Sequence, residues 1–191
     1  MKETVLAAAL ALSLVSPAVL AAETADVVVV GAGAAGLSAS IGAAARGAKV
    51  ILLEKTGDAG GNTAFASLGL NAAATPDQAA ARIMGDSATL FAADTIRYGH
   101  QFNDAALVRA MTVTSAPALA WLETLGAKLC LRITPVGSEA RPRLMAPCDG
   151  TAVGPLLIQV LKAKALQSQV DLRTQARATK LLLSGQKVDG I

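Results

Sequence analysis

The chain begins its regular pattern with continuous apolar runs rather than strict alternation. Residues 26–30, DVVVV, are short and β-branched, the pattern of a parallel strand buried on both faces. Small residues at helical spacing follow over 34–46, and a second apolar run over 49–53 ends in Glu54. The order is strand, helix, strand. Thr75-Pro76-Asp77 then marks a helix start: a hydroxyl cap, a proline at the first helical position and an acid that suits the dipole. Leu90, Phe91 and Ile96 give helical spacing over 86–97. Residues 98–102 read as a link, and Asn103-Asp104 caps the next helix. Its apolar faces, Leu107, Val108 and Met111, then Leu119, Leu122 and Leu125, lie on either side of an expected interruption at Pro117. Gly126 ends it before a short strand over 128–133, and 135–155 hold most of the turn formers. Leu157, Val160 and Leu161 set the inner face of a helix over 156–168. Strands are expected over 170–173, 176–183 and 187–191, the last two joined by a turn at Ser184-Gly185-Gln186. The chain contains no internal repeat.

The turn between the first strand and helix carries the chemistry. Gly31, Gly33 and Gly36 stand in GxGxxG spacing directly after the strand. Gly31 permits the tight turn, Gly33 permits close approach of a pyrophosphate, and Gly36 lets the helix lie near the sheet. The first amides of that helix lack internal partners and carry the positive end of its dipole, so they suit phosphate oxygens. Glu54, about 20 residues on, is placed to accept from both ribose hydroxyls of an adenosine half and to repel a 2′-phosphate. A glycine-rich turn in an ordinary βαβ unit would leave Glu54's position unexplained. The unit therefore predicts a dinucleotide site.

Composition narrows the partners. Of 191 residues, 53% are hydrophobic but only 3% aromatic, so alanine and leucine must fill the core. The formal charge is +3, with lysines and arginines scattered rather than clustered. One Trp, one Tyr and three Phe leave few stacking platforms, and nucleic acid is excluded as an expected partner. Lys2, the apolar stretch 5–15, Pro17 and the small residues Val19 and Ala21 form a signal-peptide pattern with cleavage after Ala21. The competing reading is an uncleaved anchor, but the apolar run is shorter than the roughly 20 residues of a stable membrane span. Residues 1–21 are thus expected to be a signal peptide, and the mature protein periplasmic or secreted. In an oxidising compartment Cys130 and Cys148 either pair or remain structural thiols. No CxxCH stands for c-type haem. No metal site is expected.

Residues 26–55, together with Gly60-Gly61-Asn62-Thr63, Asn71-Ala72-Ala73, Asn103-Asp104, Trp121-Leu122-Glu123, Leu125-Gly126 and residues 150–154, resemble the FAD-dependent fumarate reductase and succinate dehydrogenase flavoprotein family, and most of all its soluble periplasmic branch. The likeness runs from about residue 25 to the end. It implies an α/β fold: a Rossmann-like FAD-binding domain over 22–191, with a parallel sheet and a βαβ GxGxxG unit, incomplete at the C-terminus and without a capping domain. It implies that Gly31, Gly33, Ala35 and Gly36 hold the FAD pyrophosphate and Glu54, with Lys55 beside it, the adenosine ribose. Asn62 and Thr63 would lie along the ribityl chain and ring, Ser67 and Leu68 against the isoalloxazine, and Ala178, in a strand, would offer backbone to the adenine. Membrane-bound relatives carry a flavin-linked histidine where Thr63 stands, so the FAD is expected to be non-covalent. The single histidine, His100, is expected to face solvent.

Two departures bear on activity. Leu68 replaces the first of a glycine pair and would crowd the flavin ring. Residues 145–150, MAPCDG, replace a turn that carries two basic groups in relatives. The family's catalytic acid and substrate-binding cations would belong to a capping domain, so no catalytic residue is assigned. Arg132, Arg141 and Arg143 are expected to be solvated surface charges, and the strand 26–30 to lack a partner on one side. Three readings follow. The favoured one is a truncated fumarate-reductase-like oxidoreductase, whose complete relatives take electrons from a separate donor and reduce a dicarboxylate or related enoate. The second is a non-catalytic FAD-binding remnant. The third, an NAD-dependent dehydrogenase, leaves the GGNT stretch without a purpose.

Overall fold

The computed structural model describes residues 23–133 and 141–191; the signal-peptide reading lies outside the described residues. The expected strand–helix–strand unit is present as β1 (Val27–Val30), α1 (Ala34–Ala44) and β2 (Val50–Leu53). β1 and β2 are parallel, with Val27 opposite Val50 and Val30 opposite Leu53. After β2 come a 3-10 turn (Gly61–Phe65), β3 (Leu70–Asn71), α2 (Pro76–Ala80), α3 (Ala88–Tyr98) and α4 (Ala105–Thr124). The chain continues through β4 (Leu129–Leu131), β5 (Leu144–Pro147), α5 (Val153–Gln167), β6 (Asp171–Arg173), β7 (Leu182–Ser184) and β8 (Lys187–Gly190).

The parallel sheet has the order β1-β2-β6. Its central strand is buried, with Val50, Ile51 and Leu52 all in the core. Among the described residues β1 is an edge, and this corrects the expectation of burial on both faces: Val28 and Val30 are 41% and 57% exposed. The expected missing neighbour is the reason. A cavity of about 270 Å3 beside β1 is bordered by Val28, Val30 and, from the C-terminal segment, Leu181, Val188 and Ile191. α1 and α5 pack on one another and on the sheet, with Leu37, Ile41, Leu157 and Leu161 in the shared core.

Local chemistry sets the helix starts. Thr75 accepts from the Gln78 amide and the Gln78 side chain answers at the Thr75 amide, a complete capping box. Ser87 caps α3 and Asp104 caps α4. Three expectations need correction. Pro117 does not interrupt its helix, which runs unbroken to Thr124. Val108, Thr112 and Ser115 before it and Leu119 and Leu122 after it are buried on one face, and tertiary packing outweighs the lost backbone hydrogen bond. The turn-rich segment contains β5, held antiparallel between β3 and β4. The strand expected over 176–183 forms only at its end, so Ala178 lies in irregular backbone. The expected turn does join β7 and β8, with Gly185 at φ +62°.

Candidate functional site

The site is built where β1 ends. The Gly31 amide donates to the Leu53 carbonyl at 2.7 Å, tying the glycine loop to the end of β2. A side chain at position 36 would collide with the Gly31 carbonyl, so only glycine lets α1 start this close to the loop. The start of α1 leaves the amides of Ala35 and Gly36 without helical partners. At Gly33 an added Cβ would lie 3.6–3.7 Å from the Gly60 carbonyl and Thr63 Oγ1, so the loop sits against the second loop here.

Glu54 stands directly under this loop and is only 5% exposed. Its Oε2 accepts from the Ala32 amide at 2.8 Å, and its Oε1 accepts from the Thr56 amide and hydroxyl at 2.9 Å each. The Ala32 amide, then the Thr56 amide, hold its carboxyl below the usual carboxylate range against the opposing effect of burial. Glu54 borders a cavity of about 250 Å3 with Gly31, Lys55, Arg177 and Ala178. Three segments distant in sequence thus meet at one place, Ala178 included, although it is not in a strand.

A second loop closes on the first. The Gly60 amide donates to the Ala32 carbonyl at 2.8 Å, and Thr63 Oγ1 accepts from the Ala34 amide at 3.2 Å. Thr63 therefore caps α1 from outside the helix. The start of α5 presses on this turn at Gly154, whose amide donates to the Ala66 carbonyl at 2.8 Å and where any Cβ would strike the Thr63 carbonyl. Asn62 is exposed in the same turn.

Ser67 and Leu68 are exposed on the segment that leads to β3 and make no contact with the Glu54 cavity. Leu68 is 61% exposed. The glycine required by close packing is Gly69, where a Cβ would strike the Met145 carbonyl of β5. Exposed Phe65 adjoins this segment and carried no signal in the sequence.

The arginines behave differently from one another. Arg143 is not a solvated charge: it is 0% exposed. Its Nε and Nη2 donate to the two carboxylate oxygens of Asp86 at 2.9 and 2.7 Å, and Nη1 donates to Asp94 at 2.9 Å. Arg132 is partly buried and donates to the Pro147 carbonyl at 2.8 Å. His100 is exposed as expected. Phe91, Asp94, Asn71, Leu122, Leu157 and Arg143 contribute to the wall of a larger cavity of about 710 Å3, which none of Gly31, Gly33 and Gly36 borders. Cys130 and Cys148 form a disulfide, with Cα atoms 5.0 Å apart.

The donor set fits an adenine dinucleotide: free amides at a helix start, a loop with no side chain larger than a methyl, and an ionised carboxylate beside a small cavity. Among the described residues no cluster of His, Cys, Asp and Glu suits a metal ion. One helix among the described residues, Ala105–Thr124, is long and apolar enough to cross a bilayer; in this fold it packs against α3.

Comparison with known proteins agrees with this geometry. A family described as an FAD binding domain matches residues 26–191. The chain is 41% identical over 160 residues to the fumarate reductase (cytochrome) of Shewanella frigidimarina, which covers 84% of this chain and 28% of that protein. It is 39% identical over 168 residues to the NADH:fumarate oxidoreductase of Klebsiella pneumoniae (strain 342), covering 87% of this chain and 18% of that protein. The open conformation of a flavocytochrome c3 fumarate reductase superposes with a TM-score of 0.79 at 37% identity, over 85% of this chain and 28% of that one. A 3-ketosteroid-delta4-(5alpha)-dehydrogenase from Rhodococcus jostii RHA1 superposes at 0.67 with 25% identity, over 83% and 39%. The chain thus spans 18–28% of the length of these two curated relatives.

Proposed function

This chain belongs to the FAD binding domain family, and from that premise we propose that it forms the adenosine, pyrophosphate and ribityl contacts of a fumarate-reductase-like flavoprotein. Its cofactor is FAD. One observation carries the assignment of contacts: the Glu54 carboxylate, anchored on the Ala32 amide, borders a cavity together with Gly31, Lys55 and Ala178.

Bound FAD supplies hydride transfer, and the protein's part is to bind and orient. The amides of Ala35 and Gly36 receive the pyrophosphate, with Gly31 and Gly33 leaving room for it. Glu54 accepts from the ribose, Lys55 adds a cation at the rim, and the backbone at Ala178 meets the adenine. Asn62 and Thr63 follow the ribityl chain, and Ser67 and Leu68 lie against the ring. A threonine has no nucleophilic ring nitrogen for the flavin, so Thr63 leaves the cofactor non-covalent.

The substrate is an activated double bond of a dicarboxylate or related enoate, reached with electrons from a separate donor. Support comes from the printed activities of the fumarate-reducing relatives. The protein is periplasmic or secreted, with residues 1–21 removed as a signal peptide; support comes from the short apolar run, Pro17 and Ala21. A second reading, a non-catalytic FAD binder, draws on the outward leucine at position 68, on the segment assigned to the flavin ring.

The test is titration of the purified full chain with FAD, followed by acid precipitation. Saturable binding with all flavin released into the supernatant supports the proposal. Yellow protein in the pellet contradicts the non-covalent link, and preference for NAD over FAD contradicts the contacts assigned. Anaerobic assay of the loaded chain with a reduced dye and fumarate separates the two readings.

A further inference from the structure

Glu54 is nearly full for a group that must also receive a diol. A carboxylate offers about four acceptor positions. The Ala32 amide takes one on Oε2, and the Thr56 amide and hydroxyl take two on Oε1. That leaves about one position, whereas a ribose donating both hydroxyls needs two. The amides are fixed by backbone bonds around them: Ala176 donates to the Glu54 carbonyl and Gln175 to the Thr56 carbonyl, each at 2.8 Å. Only the Thr56 hydroxyl is free to turn. It lies 2.9 Å from Glu54 Oε1 and equally 2.9 Å from the Asp58 carbonyl oxygen, with a single proton to give.

We propose that the Thr56 hydroxyl stands in for one ribose hydroxyl, donating to Glu54 in the ligand-free protein and turning to the Asp58 carbonyl when the adenosine half binds. The proposal rests on Glu54 being the ribose contact. Thr56 is then a positioning residue, since it bonds Glu54 and does not border the cavity. The exchange keeps the hydroxyl proton paired at both stages, because a second acceptor is already at hydrogen-bond distance. It also sets the direction of two effects. In the ligand-free protein the hydroxyl helps hold the Glu54 carboxylate ionised, after the Ala32 and Thr56 amides. During binding it competes with the ligand for Oε1.

Other charged groups near Glu54 are Lys55 beside it and Arg177 across the cavity. Arg173 on β6, in register with Leu53, is engaged by Glu23 and Asp171. None of these is altered by a change at position 56, so differences between variants report the hydroxyl.

Thr56→Val removes the hydroxyl and nearly keeps the shape, while Thr56→Ser keeps the hydroxyl. FAD affinity is read by fluorescence titration of the full chain, and ligand-free stability by urea unfolding across the acid range. Thr56→Val should bind FAD about three- to tenfold tighter, the difference between the charge-assisted hydrogen bond given up at Glu54 and the neutral one gained at the Asp58 carbonyl. Without FAD it should be less stable at neutral pH, with the deficit fading as the pH falls below the carboxylate range. Thr56→Ser should match the unmodified chain in both readouts, and Thr56→Ala should follow Thr56→Val. Unchanged or weaker FAD binding in Thr56→Val, with Thr56→Ser normal, overturns the stand-in. Glu54→Gln separates the two levels of the argument. Loss of affinity there, without tightening in Thr56→Val, removes only the stand-in. Undiminished affinity there removes the ribose contact and this inference with it.

Discussion

Arg143 and Asp86, 57 residues apart in the chain, form a two-pronged ion pair in which neither side chain is accessible beyond 1%. Asp94 takes a third donor of the guanidinium, and the Phe91 ring lies beneath it with 4.9 Å between Cζ and centroid. Gln78 donates to Asp86 and to the Pro142 carbonyl at 2.8 Å each, joining α2 to the same cluster. The group fastens α2 and α3 to the strand β5, which also pairs with β3.

Arg143→Met should therefore destabilise the fold by about 3–5 kcal/mol at neutral pH, because it leaves a buried carboxylate without its cation. Burial acts against the ionised form of Asp86, but Arg143 and Gln78 outweigh it and hold the carboxyl below its ordinary range. The stability this provides is present above the ordinary carboxylate range and is lost as the pH falls through the lowered folded value. In Arg143→Met the Asp86 carboxyl should rise instead. Urea unfolding at neutral and acid pH checks the sign: the gap between variant and unmodified chain should narrow in acid. A gap that stays constant would mean Asp86 is not the group affected.

Two glycines of α1 should respond oppositely to alanine. At position 36 a Cβ strikes the Gly31 carbonyl, so Gly36→Ala should lower stability by about 1–3 kcal/mol and displace the helix start from the loop. FAD binding should fall with it. At position 42 the nearest atom to a new Cβ is the mobile tip of Arg46 at 3.8 Å. Gly42→Ala should stabilise the chain by about 0.5–1 kcal/mol, since alanine loses less backbone freedom in a helix interior. Thermal melts with and without FAD measure both.

The βαβ unit was legible because its signals are local. The apolar runs, the glycine spacing and Glu54 lie within one stretch of chain, and each has its own steric or electrostatic reason. The cap residues Thr75 and Asp104 were readable on the same grounds. What stayed hidden depends on distant partners. Arg143 looks like a surface arginine until α3 brings Asp86 and Asp94 to it. β5 looks like turn because its partners, β3 and β4, are short and not adjacent to it in register by any local pattern. Pro117 signals an interruption locally, but burial on either side of it overrides an interior proline's cost. Thr56 gave a weak signal, two residues after Glu54, that becomes meaningful only when both side chains face the same way.

Glu54→Gln should raise the FAD dissociation constant by about tenfold or more. The change keeps one acceptor but loses the charge, and a charge-assisted hydrogen bond is worth roughly 1.5–3 kcal/mol, where 1.4 kcal/mol is a factor of ten. The amide oxygen has only one of two places, so either the Ala32 amide or the ribose goes short. Fluorescence titration gives the constant directly. An unchanged value in a folded variant would show that the carboxylate serves only the glycine loop.

The disulfide yields the last prediction. Cys130 lies on β4 and Cys148 just beyond β5, with the Cys148 amide donating to the Lys128 carbonyl at 3.1 Å. The strands are already in register, with Leu129 opposite Pro147 and Leu131 opposite Met145, so the bridge adds little to native geometry. Its contribution falls on the unfolded chain, where it closes a loop between residues 18 apart, worth about 3 kcal/mol in the chain-entropy account. Replacing both cysteines with alanine should lower the melting temperature by about 6–12 °C for a chain of this size. Circular dichroism and FAD affinity should be retained, because neither cysteine borders the Glu54 cavity. A reducing agent should bring the unmodified chain down by the same amount and leave the double variant where it is. If reduction moves neither protein, the bridge does not form in solution. If it moves both, the agent is acting elsewhere.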